Sequence, residues 1–374
     1  MTDPTPERKA ARYAACKRSV WSGQLLLTLT GLWLLACSPA GLRWAARAAA
    51  GPGPWPVQLA GYLLPPAAIL FLLRLPLDWL GGHWLERRFG LSDQPLSRWL
   101  GDQAKQTVLS IGFGGIIVGG LFFLFRTTPA HWWLWAGGFW FGWSAFLSWI
   151  APIWLIPLFY RQRPLADAAL QNRLEGLVRR CGTPIRGIFE INLSKNSRKA
   201  NACLCGMGSS RRILLSDTLI AAHPTDEVEV VLAHEIGHHR LGHIPRMIVL
   251  STLGAWGSLG LIQWILLQLH RQPGGSMGSD LSALTFLALL VMTFELLVLP
   301  LTNGFSRRNE KAADRYALEI TRNPAAFIRA MERLAEKNLS QVNPPPWVEW
   351  IFHSHPPISK RIAFARNFED NRGS

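Results

Sequence analysis

The sequence predicts an α-helical integral membrane protein of about six transmembrane helices, with a polar portion that contains a small β-sheet. Three observations carry this. Hydrophobic residues make up 49% of the 374-residue chain and gather into blocks at 20–37, 57–80, 107–125, 132–159, 247–269 and 281–301. Most of these blocks reach the roughly 20 residues that a helix needs to cross a bilayer. Lys and Arg crowd beside alternate ends of the blocks, as they do where basic residues set orientation. Between and after the blocks, 160–246 and 302–374 are polar and mix short β-type runs with helical periodicity.

The elements follow in order. Lys17 and Arg18 precede the first apolar run, and Leu34-Leu35-Ala36-Cys37 faintly resembles a lipoprotein cleavage box. The many spans that follow favour a retained first transmembrane helix over a cleaved signal. The second span holds Pro65-Pro66, Arg74 and Asp78, which predicts a kinked helix partly buried against others. Pro152 and Pro157 predict a bend in the fourth. Arg8, Lys9, Arg12, Lys17 and Arg18 precede span one, Arg87, Arg88, Arg98 and Lys105 follow span two, and 160–246 adds more. The opposite loops offer Arg43, Arg47, Arg126 and Arg271, so both termini and 160–246 are expected in the cytoplasm.

The net charge of +15 would suggest nucleic acid in a soluble protein. Here it lies along the membrane blocks, where it meets anionic lipid, and no nucleic-acid motif accompanies it. Of five cysteines, Cys203 and Cys205 would share one face of a strand, a conceivable metal pair, but no second pair stands nearby to complete a site. The scattered set reads as reduced thiols.

In the first polar region, 170–180 has helical periodicity, Gly182-Thr183-Pro184 is a turn, and 187–193 and 212–215 read as strands. Residues 201–204 form a possible edge strand, and 225–243 a strong helix. The chain thus divides into four parts. Residues 1–160 hold four spans and a cytoplasmic loop at 81–106; 161–246 hold the strong helix; 247–301 hold two spans; 302–374 form a C-terminal segment.

The strong helix carries His234-Glu235-Ile236-Gly237-His238. One helical turn apart, the two imidazoles face the same way and can share one zinc. Glu235 beside them can take a proton from a water attacking a carbonyl. That makes 161–246 a zincin-like metalloprotease portion. A merely polar surface helix would not carry the apolar run 228–233. Glu310 is the candidate third ligand, in Glu310-Lys311-Ala312-Ala313-Asp314. Asp314, one turn on, can accept the free N–H of a ligand histidine, and Ala312 and Ala313 permit close helix approach. Glu319 falls on the opposite face from Glu310, and Glu295 lies inside the last span without a comparable pattern.

These segments resemble the integral-membrane CAAX prenyl protease family, type I. Ala233–His238 with His239 and His243 looks like its zinc helix, and Ser306–Asp314 like its third-ligand segment. Asn201-Ala202 ahead of 212–219, His355-Pro356-Pro357 with Arg361, and the loop Glu86–Ser92 resemble further family segments in the same order. The resemblance implies a helix bundle around a chamber with one zinc near the cytoplasmic side. It also implies that Asn201 holds the substrate backbone and that His355 and Arg361 stabilise the tetrahedral intermediate. The family's eukaryotic members have seven spans against the six counted here. The heat-shock quality-control type of membrane zinc protease shares the zinc motifs; the Glu86–Ser92 loop and the His355 segment favour the first branch. An intramembrane metal-binding or transport protein is the alternative from another class, but it needs no general base between its ligands. The expected partners are a peptide or membrane-protein substrate and lipid; the sequence leaves the oligomeric state open. The expected location is a bacterial inner membrane.

The orientation has a direct test. A membrane-impermeant thiol label applied to intact cells should miss cysteines introduced near Lys195 or Asn338 and reach those near Pro52 or Gly275. Labelling of 160–246 from outside would overturn it.

Overall fold

The computed structural model describes residues 5–270 and 281–373, so Arg271 and Gly275 of the expected outer loop lie outside the described residues. Helix α1 (Pro6–Cys37) opens with a proline in its first turn, where the missing N–H has no intrahelical partner to lose. Ser38 then caps α2 (Pro39–Ala49) by accepting from the Gly41 N–H. This eleven-residue amphipathic helix, absent from the sequence reading, is too short to cross a bilayer.

Helices α3 (Trp55–Arg88), α4 (Leu96–Thr127) and α5 (Trp132–Phe159) complete the N-terminal membrane region. Helix α3 loosens into a π turn at Leu80–Trp84 and α5 into another at Ala151–Leu155. The second π turn contains Pro152, where the bend was expected, and a wider turn accommodates the missing donor. Arg74 and Asp78 are indeed packed inward. Gln24 of α1 donates to Asp78 at 2.7 Å, while Arg74 lies 3.8 Å from Asp78 and donates to Thr28. Trp132 donates to Gln263 at 2.7 Å, so this buried pair is satisfied inside the bundle, as hydrocarbon surroundings require. Leu72, Val108, Phe123 and Leu297, by contrast, are exposed on the outer faces of their helices.

The polar portion begins with β1 (Gln162–Pro164), a strand the sequence did not signal, followed by α6 (Ala168–Arg180), capped by Asp167. Then come β2 (Ile188–Ile191), β3 (Ala202–Cys205), β4 (Arg212–Ser216), and α7 (Asp217–Ala222). The sheet order is β1-β2-β4-β3; β2 and β4 are parallel, and both outer pairs are antiparallel. Strand β3 is therefore an edge, as expected of 201–204. On one face Ile188, Ile213, Leu215 and Leu204 pack with Leu174, Leu177, Val230 and Ala233 into the core of this portion.

Helix α8 (Thr225–Arg240) is buried nearly all round, the pattern of a helix inside a core. Its two internal carboxylates are paired: Glu229 with Arg173 and Arg180 of α6, and fully buried Glu227 with His223. Contrary to the sequence reading, α8 stops before His243. Gly242 adopts φ +67°, the left-handed conformation that ends helices, and α9 (His243–His270) starts at the histidine itself. Helix α10 (Leu281–Thr321) carries the last span unbroken into the segment that holds Glu310. One internal Pro300 does not end the helix. Helices α11 (Pro324–Asn338), α12 (Pro346–Phe352) and α13 (Ile358–Gly373) close the chain. Six of the described helices are long and apolar enough to cross a membrane, the expected number.

Helices α8 and α10 meet where neither has bulk. A Cβ on Gly237 would stand 3.2 Å from the Ala313 Cα and from the Tyr316 ring. Overpacking of this kind typically costs about 1–3 kcal/mol. Gly237→Val should therefore lower the melting temperature in detergent and the bound metal together. Unchanged melting would mean that the two helices can part without cost.

Candidate metalloprotease site

The site is assembled from α8, α10, the edge of β3 and the segment joining α12 to α13. On α8 the His234 and His238 rings turn the same way, with Nε2 atoms 3.2 Å apart. Across the Gly237 contact, Glu310 of α10 brings Oε2 to 3.2 Å from His234 Nε2 and Oε1 to 3.3 Å from His238 Nε2. Three ligands held tetrahedrally at zinc bond lengths of 2.0–2.1 Å stand about 3.3–3.4 Å from one another. The donor set fits one such ion, and it is the only group of this kind among the described residues. Glu319 instead pairs with Arg315 on the outer face of α10, and Glu295 is exposed in the span, away from this cluster.

Each ligand is held from behind. His234 Nδ1 lies 2.8 Å from Asp314, whose carboxylate is clamped by both Nε and Nη2 of Arg361. That leaves His234 Nε2 free to face the ligand cluster. Burial alone would lower the His234 pKa, but Asp314 and Glu310 outweigh it and raise it to about 9. His238 Nδ1 lies 3.0 Å from His243 Nδ1, so the glycine turn that ends α8 also delivers a partner for the second ligand. In the sequence His243 stood only as part of the family-like zinc helix, with no role of its own.

Glu235 is half-buried beside the ligands. Desolvation pushes its pKa up, opposed by the two imidazoles and by the Leu204 N–H. A carboxylate raised in this way holds a proton more readily than a surface one, as a general base must. His239 reaches the same strand residue, its Nε2 lying 2.9 Å from the Leu204 carbonyl. The motif helix and β3 are thus tied together. Asn201 is exposed immediately before β3, its N–H donating to Ser216 Oγ and its carbonyl accepting from the Ser216 N–H. The approach to it is pinned on two sides. Asn338 of α11 exchanges hydrogen bonds with both backbone groups of Ala200, and the Leu91 carbonyl accepts from the Arg198 N–H.

His355 lies 2.8 Å through Nδ1 from Glu310 Oε2, with its side chain 62% exposed, so it touches the third ligand and still faces solvent. Arg361 does not open onto that space in the same way. Two of its nitrogens hold Asp314, and Nη2 is 3.4 Å from His234 Nδ1. The segment carrying His355 is anchored to α10 by residues without a motif signal. Asn303 donates to the Ile351 carbonyl at 2.6 Å, and Arg307 to the carbonyls of Glu349 and His353.

Comparison with known proteins agrees with this arrangement. Residues 164–369 match the model of peptidase family M48, and residues 9–161 match a CAAX prenyl protease N-terminal region described as having five membrane helices. Four helices in that region of this chain can cross a membrane. An uncharacterized metalloprotease of Bacillus subtilis, YhfN, is 30% identical over 84% of this chain and 74% of its own length. CAAX prenyl protease 1 of Saccharomyces cerevisiae is 30% identical over 78% of this chain and 68% of its own. The crystal structure of S. mikatae Ste24p superposes with a TM-score of 0.84 at 26% identity, covering 97% of this chain and 89% of that one. On the family model matched over residues 164–369, the relatives and the shared fold, the chain belongs to peptidase family M48 and is an integral-membrane zinc endopeptidase resembling the type I CAAX prenyl proteases.

Proposed function

We propose that the chain binds one zinc through His234, His238 and Glu310 and hydrolyses membrane-proximal peptides, with both termini and the catalytic portion in the cytoplasm of a bacterial cell. The observation that carries the metal assignment is the mutual spacing of 3.2–3.3 Å among the three ligand atoms. When bound, the zinc polarises an attacking water and the scissile carbonyl. Glu235 takes the proton of that water and passes it to the departing amine. Asp314 keeps the His234 ring in the ligating tautomer, and Arg361 holds Asp314 while placing positive charge near the centre. His355 donates to the oxyanion of the tetrahedral intermediate, a role its reach beside Glu310 supports. The peptide lies extended against the outer edge of β3, with Asn201 receiving its backbone.

Two joined cavities support a substrate that approaches from the membrane. One, about 530 Å³, is lined by polar groups including Gln24, Glu86, Asp102 and Lys199, close to the start of β3. The other, about 510 Å³, is apolar and lined by Leu109, Phe113, Leu155, Ile156 and Phe159 of α4 and α5. Gln106 and Tyr160 line both. An extended peptide that carries a hydrophobic side chain or a lipid away from its scissile bond matches these surfaces, whose linings include none of the cluster residues. Backbone pairing at an edge is largely blind to sequence, so prenylation is helpful at most. CAAX processing is the activity named for the yeast relative.

Zinc content, turnover and peptide cleavage test this reading. Glu310→Ala should lose zinc far more than Glu319→Ala, and zinc affinity should fall with falling pH as His234 holds its proton. Glu235→Gln should keep zinc and lose hydrolysis, whereas equal zinc loss in both would reduce it to a structural residue. His355→Ala should keep zinc and substrate affinity while losing on the order of 100-fold in turnover, the usual cost of one oxyanion donor. Matched prenylated and bare peptides, assayed in detergent at equal solubility, address the substrate. Cleavage confined to the prenylated peptide would overturn the general reading.

A further inference from the structure

The mechanism makes no use of Cys203 and Cys205, although both stand beside it. Two apart on a strand, they project from the same face of β3, opposite Leu204, which packs into the core. The two thiols lie near enough to each other and to Glu235 to feel one another's charge. Each is half-buried, and neither is in a disulfide. Cys205 also contacts the Arg212 carbonyl across the β3–β4 pair. The result is a dithiol on the strand that, on the reading above, receives the peptide.

We propose that Cys203 and Cys205 form a binding site for soft, thiophilic metal or metalloid ions, whose occupation closes the substrate strand without touching the zinc. Thiolate sulfur is the preferred donor for such ions, and two sulfurs neighbouring on one face of a strand can grip one ion together. A peptide paired with the outer edge of β3 would place every second side chain on the face of the two thiols. An ion held there, with any group it carries, takes that space. For a trivalent arsonous acid the reaction is an exchange: two S–H bonds and two As–OH bonds break, two As–S bonds form, and two waters leave. The arsenic stays trivalent, and no oxidant is needed. The zinc ligands are nitrogen and carboxylate donors, which compete poorly for so soft an ion.

The probe is phenylarsine oxide, which is the arsonous acid in water, applied to the full-length zinc-loaded protein in detergent. Intact mass spectrometry should show one dithiol-bound phenylarsenical per chain, resistant to a monothiol wash and removed by 2,3-dimercaptopropanol. Cys203→Ser and Cys205→Ser should each abolish this adduct, while Cys16→Ser and Cys37→Ser should retain it. Bound protein should lose peptidase turnover with its zinc content unchanged, and dimercaptopropanol should restore it; each variant is scored against its own untreated activity. An adduct that survives both single substitutions, or fails to form, overturns the dithiol site. An adduct that depends on both cysteines but leaves turnover intact overturns the blockade and, with it, the assignment of β3 as the substrate strand. A zinc site that is inactive before any arsenical is added is a separate failure, visible in the untreated control.

Discussion

The close approach of α8 and α10 at Gly237 and Ala313 is the constraint on which the catalytic arrangement rests. Two histidines one turn apart define only a line along one helix, and a third ligand from elsewhere must come within about 3.4 Å to complete a tetrahedral set. With a Cβ on Gly237 already 3.2 Å from its neighbours, no larger pair of residues would let Glu310 reach both imidazoles. The same contact brings Asp314 behind His234, because it follows Glu310 by one turn. One backbone approach thus supplies both the third member of the cluster and the carboxylate that orients His234.

Bringing three carboxylates and two imidazoles into so small a volume would be costly without compensation, since an unpaired buried charge is strongly destabilising. The compensation is local. Arg361 binds Asp314 through two nitrogens, and His355 contacts Glu310 from the solvent side. Both come from the C-terminal segment, which explains why Asn303 and Arg307 hold its backbone so firmly to α10. The C-terminal segment is therefore part of the electrostatics of the centre. Glu227, at the other end of α8, is treated likewise, with His223, Arg329 and Arg333 gathered about a fully buried carboxylate.

The membrane region and the polar portion are connected through the same helix that carries the third ligand. Helix α10 leaves its span and continues to Thr321 without a break, so the position of Glu310 is fixed by the packing of the bundle as well as by α8. At the other side, Glu86 at the end of α3 meets Tyr13 and Lys17 of α1 and Lys199 just ahead of Asn201. The edge strand and the helix that carries Glu310 are thus both referred to the membrane helices. That geometry suits hydrolysis close to the lipid surface.

The sequence by itself determined the parts whose physics is local. The six spans follow from apolar length, the His234–His238 pair from helical periodicity, and Glu310 with Asp314 from a second one-turn spacing. The edge strand was legible because residues 201–204 lie between two β-type runs, 187–193 and 212–215. Tertiary structure decided what depends on distance between segments. Strand β1 has three residues and exists only by pairing with β2, so no pattern announced it. His243 became the partner of His238 because Gly242 turns the chain, and that turn ended the helix earlier than periodicity implied. Asn338, Asn303 and Arg307 act through backbone carbonyls and amides far along the chain, contacts that carry no residue-type signature. Arg361 was recognisable as a residue of the site, but its clamp on Asp314 could be seen only when the last helix was folded against α10. Local periodicity records which side chains share a face; only packing records which faces meet.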